Sequence, residues 1–328
     1  MTRGKRTQDN VKREELEAKE ELEVKKEEEG VAAVKELIKE VITTTPNDLS
    51  VSISNTDLPA EFIETHSEFF IKMCQFVLKV DPTLFPVLIA GNFSHYLKSP
   101  LESSTEVLKV DLQGCFAKLG GAIIGQQISN KAARSIRERV SNYFGGDFPT
   151  YEALYEAFKD PQKSQEIKEC GLSARKLSYL ESLAQYFTDN IDEIEALFNG
   201  KDNDDEIIEQ LVANVKGIGP WSANMFLMNA LRRTDVFTPD DLGIARGFSN
   251  YASKRPELIE ELMKERTVVK KSKIKHKKYN WKIYDNDIME LCADRFKPYR
   301  SLFMFLLWRL SSDNMESMMK VQEEFMTS

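Results

Sequence analysis

The chain has 328 residues, 41% of them hydrophobic, and a formal net charge of −8, which is enough apolar material for one large core or two abutting ones. No apolar run approaches the roughly 18 residues that a membrane helix requires. The opening MTRGKRTQDN also lacks the apolar core of a secretion signal, so a soluble, intracellular protein is expected.

Residues 1 to about 45 form a charged zone, in which KREELEAKEELEVKKEEEG consists mostly of Glu and Lys. Such a stretch is either a solvated single helix supported by Glu and Lys pairs four apart or a disordered extension. The remainder, 46–328, reads as one helical domain. Periodicity predicts helices near 58–79, 83–98, 111–143, 150–159, 162–169, 173–188, 190–198 and 204–215. Further helices are expected near 220–232, 241–251, 256–265, 285–294, 299–310 and 313–325, with no convincing strand between them. The expected class is therefore all-α. Cys74, Cys115, Cys170 and Cys292 stand far apart, so neither a paired zinc motif nor a disulfide framework is suggested, and reduced core thiols are expected. His66, His95 and His276 are equally scattered, which argues against a metal centre built from side chains.

The most informative stretch is LVANVKGIGPWSANMFLMNALRRTDVFTPDDLGIARG, residues 211–247. Ile207, Leu211 and Val215 recur every four residues, as on one face of a helix. Gly217 and Gly219 permit positive φ in a tight reversal, and Pro220 suits the first turn of a second helix, where its missing N–H is no loss. A hairpin of two helices over about 204–231 is expected. Unpaired N–H groups at the start of the second helix suit a phosphate, Ser222 adds a hydroxyl donor, and the glycines let an oxygen approach closely. Taken alone, the glycines are equally explained by packing. Some twenty residues later Thr238-Pro239-Asp240-Asp241 precedes another helix. One aspartate is accounted for as an N-cap, leaving a second carboxylate to spare.

This stretch, together with Leu119-Gly-Gly-Ala-Ile-Ile-Gly-Gln-Gln-Ile-Ser129 and Phe296-Lys-Pro-Tyr-Arg-Ser-Leu-Phe-Met-Phe-Leu-Leu-Trp308, resembles the helix-hairpin-helix DNA glycosylases. The resemblance is to their alkylation-repair branch, the 3-methyladenine DNA glycosylases, in the yeast-type form. It implies two helical lobes with a cleft between them and no appended β domain. It implies a monomeric nuclear enzyme of base excision repair, which flips alkylated purines of the 3-methyladenine and 7-methylguanine class out of duplex DNA and hydrolyses the N-glycosidic bond. Iron–sulfur relatives hold their cluster with four closely spaced cysteines, and that spacing is missing here.

Residue by residue, the resemblance makes Asp241 the catalytic carboxylate, with Asp240 as cap or buttress. A fixed carboxylate suits the chemistry, because the bond breaks through an oxocarbenium-like sugar. Relatives that also cleave the strand carry a lysine where this chain has Trp221, and Lys216 lies too early to match. A glycosylase without lyase activity is expected. Trp221, Trp308, Tyr299 and Met225 match base-pocket positions. Electron-rich rings attract cationic bases by roughly 0.5–2 kcal/mol, although buried aromatic residues are more often simple core. Met225 replaces a tyrosine of the bacterial relative, which puts the base range in question. Gln127 matches the side chain that fills the hole left by the flipped base; alternatively, Gln126 and Gln127 cap the helix from Ser129. No cofactor is required by this reading. The resemblance does imply a sodium or potassium ion at the carbonyls of Ala213, Val215 and Ile218.

The net charge conceals segregation. Residues 264–282, KERTVVKKSKIKHKKYNWK, hold nine Lys or Arg against one Glu, whereas 202–209 are strongly acidic. The basic insertion reads three ways: a phosphate-contacting loop, a nuclear localisation signal or a solvated surface. The main alternative to an enzyme is a non-catalytic helix-hairpin-helix module, which would bind DNA without needing Asp241.

Overall fold

The computed structural model describes residues 57–91, 93, 96–98, 109–201, 203–274 and 280–311. The N-terminal extension 1–45, the expected helix 313–325, His95 and His276 lie outside these residues. The described part contains fifteen α-helices, one 3-10 turn and no strand, apart from an isolated bridge between His66 and Leu97. In chain order the first seven are α1 (Ala60–Thr65), α2 (Glu68–Val80), α3 (Phe85–Ile89), α4 (Leu112–Gly125), α5 (Asn130–Tyr143), α6 (Tyr151–Phe158) and α7 (Pro161–Glu169). Then come α8 (Ala174–Asp189), α9 (Ile191–Asn199), α10 (Asp204–Asn214), α11 (Pro220–Asn229), α12 (Leu242–Ser253), α13 (Pro256–Glu265), α14 (Asn286–Asp294) and α15 (Arg300–Leu310).

Side-chain caps set many of these starts. Ser67, Asp111, Ser129, Thr150, Asp160, Ser173 and Asp241 each accept a backbone N–H from the first turn that follows. Two of these caps correct the sequence expectation. The helix expected over 58–79 is broken at His66 and restarted by Ser67, and that expected over 111–143 is broken at Gln126–Ser129 and restarted by Ser129. An apolar stripe that runs on across a cap hides the break. The helix expected over 83–98 reduces to a 3-10 turn, Pro82–Leu84, followed by α3. Beyond α3, the Arg309 guanidinium lies over the Phe93 ring at 4.7 Å and occupies the space beside Gly91. A Cβ at Gly91 would require the Arg309 and Phe93 side chains to shift.

The helices pack in two groups. In one, α15 lies along α12 and also meets α2, α3 and α14, while α13 bridges α12 and α14. In the other, α8 packs on α4 and α6, α5 on α4, and α10 on α11. Contacts between α4 and α11 carry the second group up to the site. All four cysteines are free and buried, and burial raises their thiol pKa values. A polar knot ties the end of α2 to α12. Tyr251 donates to Asp81 Oδ2 at 2.6 Å, and Arg255 pairs with Asp81 at 3.4 Å while also bonding Thr83.

Close contact between α12 and α15 depends on glycine. A Cβ at Gly247 would overlap the carbonyl of Leu307, which is backbone and has nowhere to go. Gly247→Ala should therefore lower stability by about 3 kcal/mol, near the upper end of typical overpacking penalties. Urea unfolding of the variant against wild type measures this directly.

Candidate active site

The site is assembled from a hairpin, a loop and a groove. The hairpin is α10, the turn Val215–Gly219 and α11. Gly217 adopts φ +80°, in the left-handed region, with its α-carbon pressed against the Tyr179 ring. Gly219 differs from expectation: its φ of −108° and ψ of 176° are extended, so no left-handed freedom is used there. What it supplies is space, since a Cβ at this position would have nothing within 4 Å. The turn is braced from outside. Ser182 Oγ donates to the Asn214 carbonyl at 3.2 Å and accepts the Lys216 N–H at 3.1 Å, and Gln126 Nε2 donates to the Gly217 carbonyl at 2.8 Å. Among the described residues no side chain caps α11, so its first-turn N–H groups, beside Ser222, are left without a side-chain acceptor, the arrangement that suits an anion.

The loop from α11 to α12 carries the paired aspartates, and the C-terminal helices pin it along its length. Arg300 grips Asp235 with a fork, Nε to Oδ1 at 2.7 Å and Nη2 to Oδ2 at 3.0 Å. Ser301 Oγ accepts the Val236 N–H at 3.0 Å and donates to the Arg233 carbonyl at 2.8 Å. Further along, Asp240 accepts Asn286 Nδ2 at 2.7 Å and Lys273 Nζ at 2.9 Å. Burial pushes the Asp240 carboxyl up, but the bonds from Lys273 and Asn286 outweigh it and bring the net shift downward.

Asp241 ends the loop as the N-cap of α12. Its Oδ1 accepts the Ile244 N–H at 2.9 Å and Trp308 Nε1 at 2.8 Å, and its Oδ2 accepts Trp221 Nε1 at 2.8 Å. The cap and the candidate carboxylate are thus one residue rather than two as expected: Asp241 is the N-cap, and Asp240 serves as the buttress. Each carboxylate oxygen has two lone pairs. Oδ1 has both engaged, whereas the described residues engage Oδ2 once, leaving it room for a water. Gly243 keeps the arrangement tight, because a Cβ there would crowd both Trp308 and Asp241 Oδ1.

A groove of about 890 Å³ runs between α4, α5 and α11, of the size that takes small ligands; Asp241 does not line it and meets it only through Trp221. Gly121, Ala122 and Gly125 of α4 are among its small lining residues, and Trp221, Ser222 and Met225 line it from α11. Trp221 is 45% exposed, so its ring is both a wall of the groove and a donor to Asp241. Gln127 lies at the groove with φ 60°, rare for a non-glycine residue, and its Oε1 accepts Arg175 Nη2 at 3.1 Å. Backbone strain of this kind often marks a functional position.

Tyr299 is not brought to this group. It is the N-cap residue of α15, nine positions before Trp308, or about 13 Å along the helix. Its ring packs edge-on against Phe76 and Phe69 at 5.3 and 6.2 Å. Sequence reasoning also missed residues. Lys118 and Arg137 line the groove; burial, reinforced by the Arg232 charge, lowers the Lys118 pKa, and burial lowers that of Arg137. A signal existed in the i, i+3 spacing of Arg134 and Arg137 on α5. None marked Asn286.

The model for HhH-GPD superfamily base excision DNA repair proteins matches residues 121–271. A DNA-3-methyladenine glycosylase of Saccharomyces cerevisiae is 55% identical over 296 residues, covering 90% of this chain and 95% of the relative. DNA-3-methyladenine glycosylase 1 of Schizosaccharomyces pombe is 30% identical over 203 residues, 60% of this chain and 72% of that protein. The crystal structure of a DNA-3-methyladenine glycosidase from Bacillus halodurans shares the fold, with a TM-score of 0.50 at 23% identity over 74% of this chain and 91% of its own. The chain belongs to the HhH-GPD superfamily of base excision DNA repair proteins, in its DNA-3-methyladenine glycosylase branch. This is an enzyme family acting on N-glycosyl bonds, and the reading as a non-catalytic module is set aside.

The open space at Gly219 yields a test. Gly219→Ala should lower stability by less than about 1 kcal/mol, the scale of an altered N-cap. If a phosphate approaches that backbone, duplex affinity should fall about tenfold, or about 1.4 kcal/mol. Fluorescence anisotropy with abasic-site DNA at fixed salt reads the change.

Proposed function

We propose that this chain flips N3- and N7-alkylated purines out of duplex DNA and hydrolyses their N-glycosidic bond, leaving an abasic site with the strand intact. The observation that carries the reading is the Asp241 carboxylate, held by three N–H donors and linked through the Trp221 indole to a groove that Trp221 lines, beside a helix start with no side-chain cap. In this reading the hairpin holds a phosphate of the damaged strand through the first turn of α11 and Ser222. Extrusion of the base requires a few kcal/mol of unstacking and unpairing, less for a damaged base. Gln127 enters the vacated stack as the wedge, and its αL backbone supports that role.

A cationic purine is a good leaving group and needs little acid assistance. It rests against Trp221 and over Met225, while Asp241 opposes the positive charge that develops on the sugar. Oδ2, engaged only by Trp221 among the described residues, orients the attacking water. Trp221 has no amine to attack the sugar, so no Schiff base forms and no strand cleavage follows. A monovalent cation at the carbonyls of Ala213, Val215 and Ile218 would bridge the turn to the phosphate. The turn is compatible with it, since Val215's carbonyl accepts the Ile218 N–H at 3.2 Å and keeps a second lone pair. The same reading makes the protein a nuclear monomer.

The test is a single-turnover assay on duplex DNA carrying methylated purines. Wild type should release free 3-methyladenine or 7-methylguanine, and the strand should break only on subsequent alkaline treatment. Asn is as good an N-cap as Asp, so Asp241→Asn keeps the helix start while removing both the charge and the acceptor that faces Trp221. Release should slow by about 100-fold or more, the scale of losing one electrostatic stabiliser, with binding to abasic DNA retained. Equal release by both proteins would overturn the role of Asp241. Release by neither would overturn the activity.

A further inference from the structure

The described part of the basic insertion is docked as a strap along residues 266–273. Arg266 bonds Asp285 at 2.6 Å and Asp287 at 3.0 Å, and Lys271 pairs with Asp285 at 3.0 Å. Lys270 is held three times: its N–H donates to Asp287 at 2.7 Å, its carbonyl accepts the Asn286 N–H at 2.8 Å, and its ammonium pairs with Glu290 at 2.6 Å. Lys273 reaches Asp240. The described part of the strap is thus fastened to the start of α14 and to the loop that carries the acting carboxylate.

Asn286 stands where these two attachments meet. It is the first residue of α14, 6% exposed, with its backbone on Lys270 and its side-chain amide on Asp240. Among the described residues its Oδ1 is buried without a partner. An orphaned buried carbonyl works against stability, so stability alone does not explain an asparagine here. The neighbouring Lys273 ammonium is 80% exposed and screened by water, leaving Asn286 as the firmer hold on Asp240. Because Asp240 and Asp241 are consecutive, a shift at Asp240 moves the N-cap and with it the carboxylate.

We infer that Asn286, anchored by residues 266–274, is a positioning residue for base excision: it holds Asp240 and thereby aims Asp241. The inference rests on Asp241 being the acting carboxylate. Asn286→Asp converts the donor into a like charge facing Asp240, with Lys273 opposite, Asp285 and Asp287 on either side and Arg266 behind them.

At about pH 7.5 the full-length variant should release 3-methyladenine at least about tenfold more slowly than wild type in single turnover, while its affinity for abasic DNA stays within about twofold. At about pH 5.5 the introduced carboxyl, its pKa raised by Asp240, gains a proton and can donate again, so the ratio to wild type should recover. Asn286→Ala should lose rate without that recovery, and Asn286→Gln, which retains the amide donor, should keep more of the rate than alanine does. The glutamine and alanine pair decides the matter if Asn286→Asp fails to fold. Rates within about twofold of wild type for the alanine variant, or a loss of abasic-DNA affinity and melting temperature in parallel with rate, would overturn the inference. Asp241→Asn serves as control: normal release by that variant would instead overturn the reading on which this one rests.

Discussion

The position of one carboxylate governs the organisation of this molecule. In the proposed reaction Asp241 acts on the sugar of a flipped nucleotide, yet it sits at the end of a loop, where a short side chain would otherwise sample several rotamers. Three donors remove that freedom. The helix start takes one lone pair of Oδ1, Trp308 takes the other, and Trp221 takes one of Oδ2. A charge oriented before the reaction needs no reorganisation during it, which is the main source of electrostatic catalysis. The rest of the C-terminal half serves this end: Arg300 and Ser301 pin the loop upstream, Asn286 holds Asp240, and Gly243 and Gly247 let α12 lie close against α15.

Much of this architecture was legible in the sequence, for identifiable reasons. The hairpin could be read because a tight reversal between helices needs glycine and a helix start tolerates proline. The Phe296–Trp308 run was recognisable as a motif, and the structure supplies its physical content: Arg300 and Ser301 fasten the loop, and Trp308 meets the carboxylate. Gly219 was half misread, because glycine can mark left-handed backbone or empty space: the open space was expected, the extended backbone was not. Breaks at Ser67 and Ser129 were hidden by apolar stripes that continue across each cap. Tyr299 shares a motif with Trp308, but the length of α15 sets them apart. The αL backbone of Gln127 left no trace in its residue type, and neither did the hold of Asn286 on Asp240, which arises from tertiary packing.

Charge taught a related lesson. A count along 264–282 gives a strongly basic stretch, yet Arg266, Lys270, Lys271 and Lys273 each meet a carboxylate in the fold. The field of these four cations is therefore partly offset within the fold. The groove, by contrast, carries Lys118 and Arg137 in a region that composition did not single out. In an acidic protein that must approach a polyanion, where cations are placed matters more than the net charge.

The central claim is that the two indole N–H groups aim Asp241. Replacing Trp308 or Trp221 by phenylalanine deletes the donor and keeps an aromatic ring, which separates orientation from stacking. Single-turnover excision of 3-methyladenine by Trp308→Phe, alongside affinity for abasic DNA, measures it most directly. The account predicts a rate loss of about tenfold or more, or about 1.4 kcal/mol of transition-state stabilisation, with abasic-DNA affinity unchanged. A rate equal to that of wild type would contradict it.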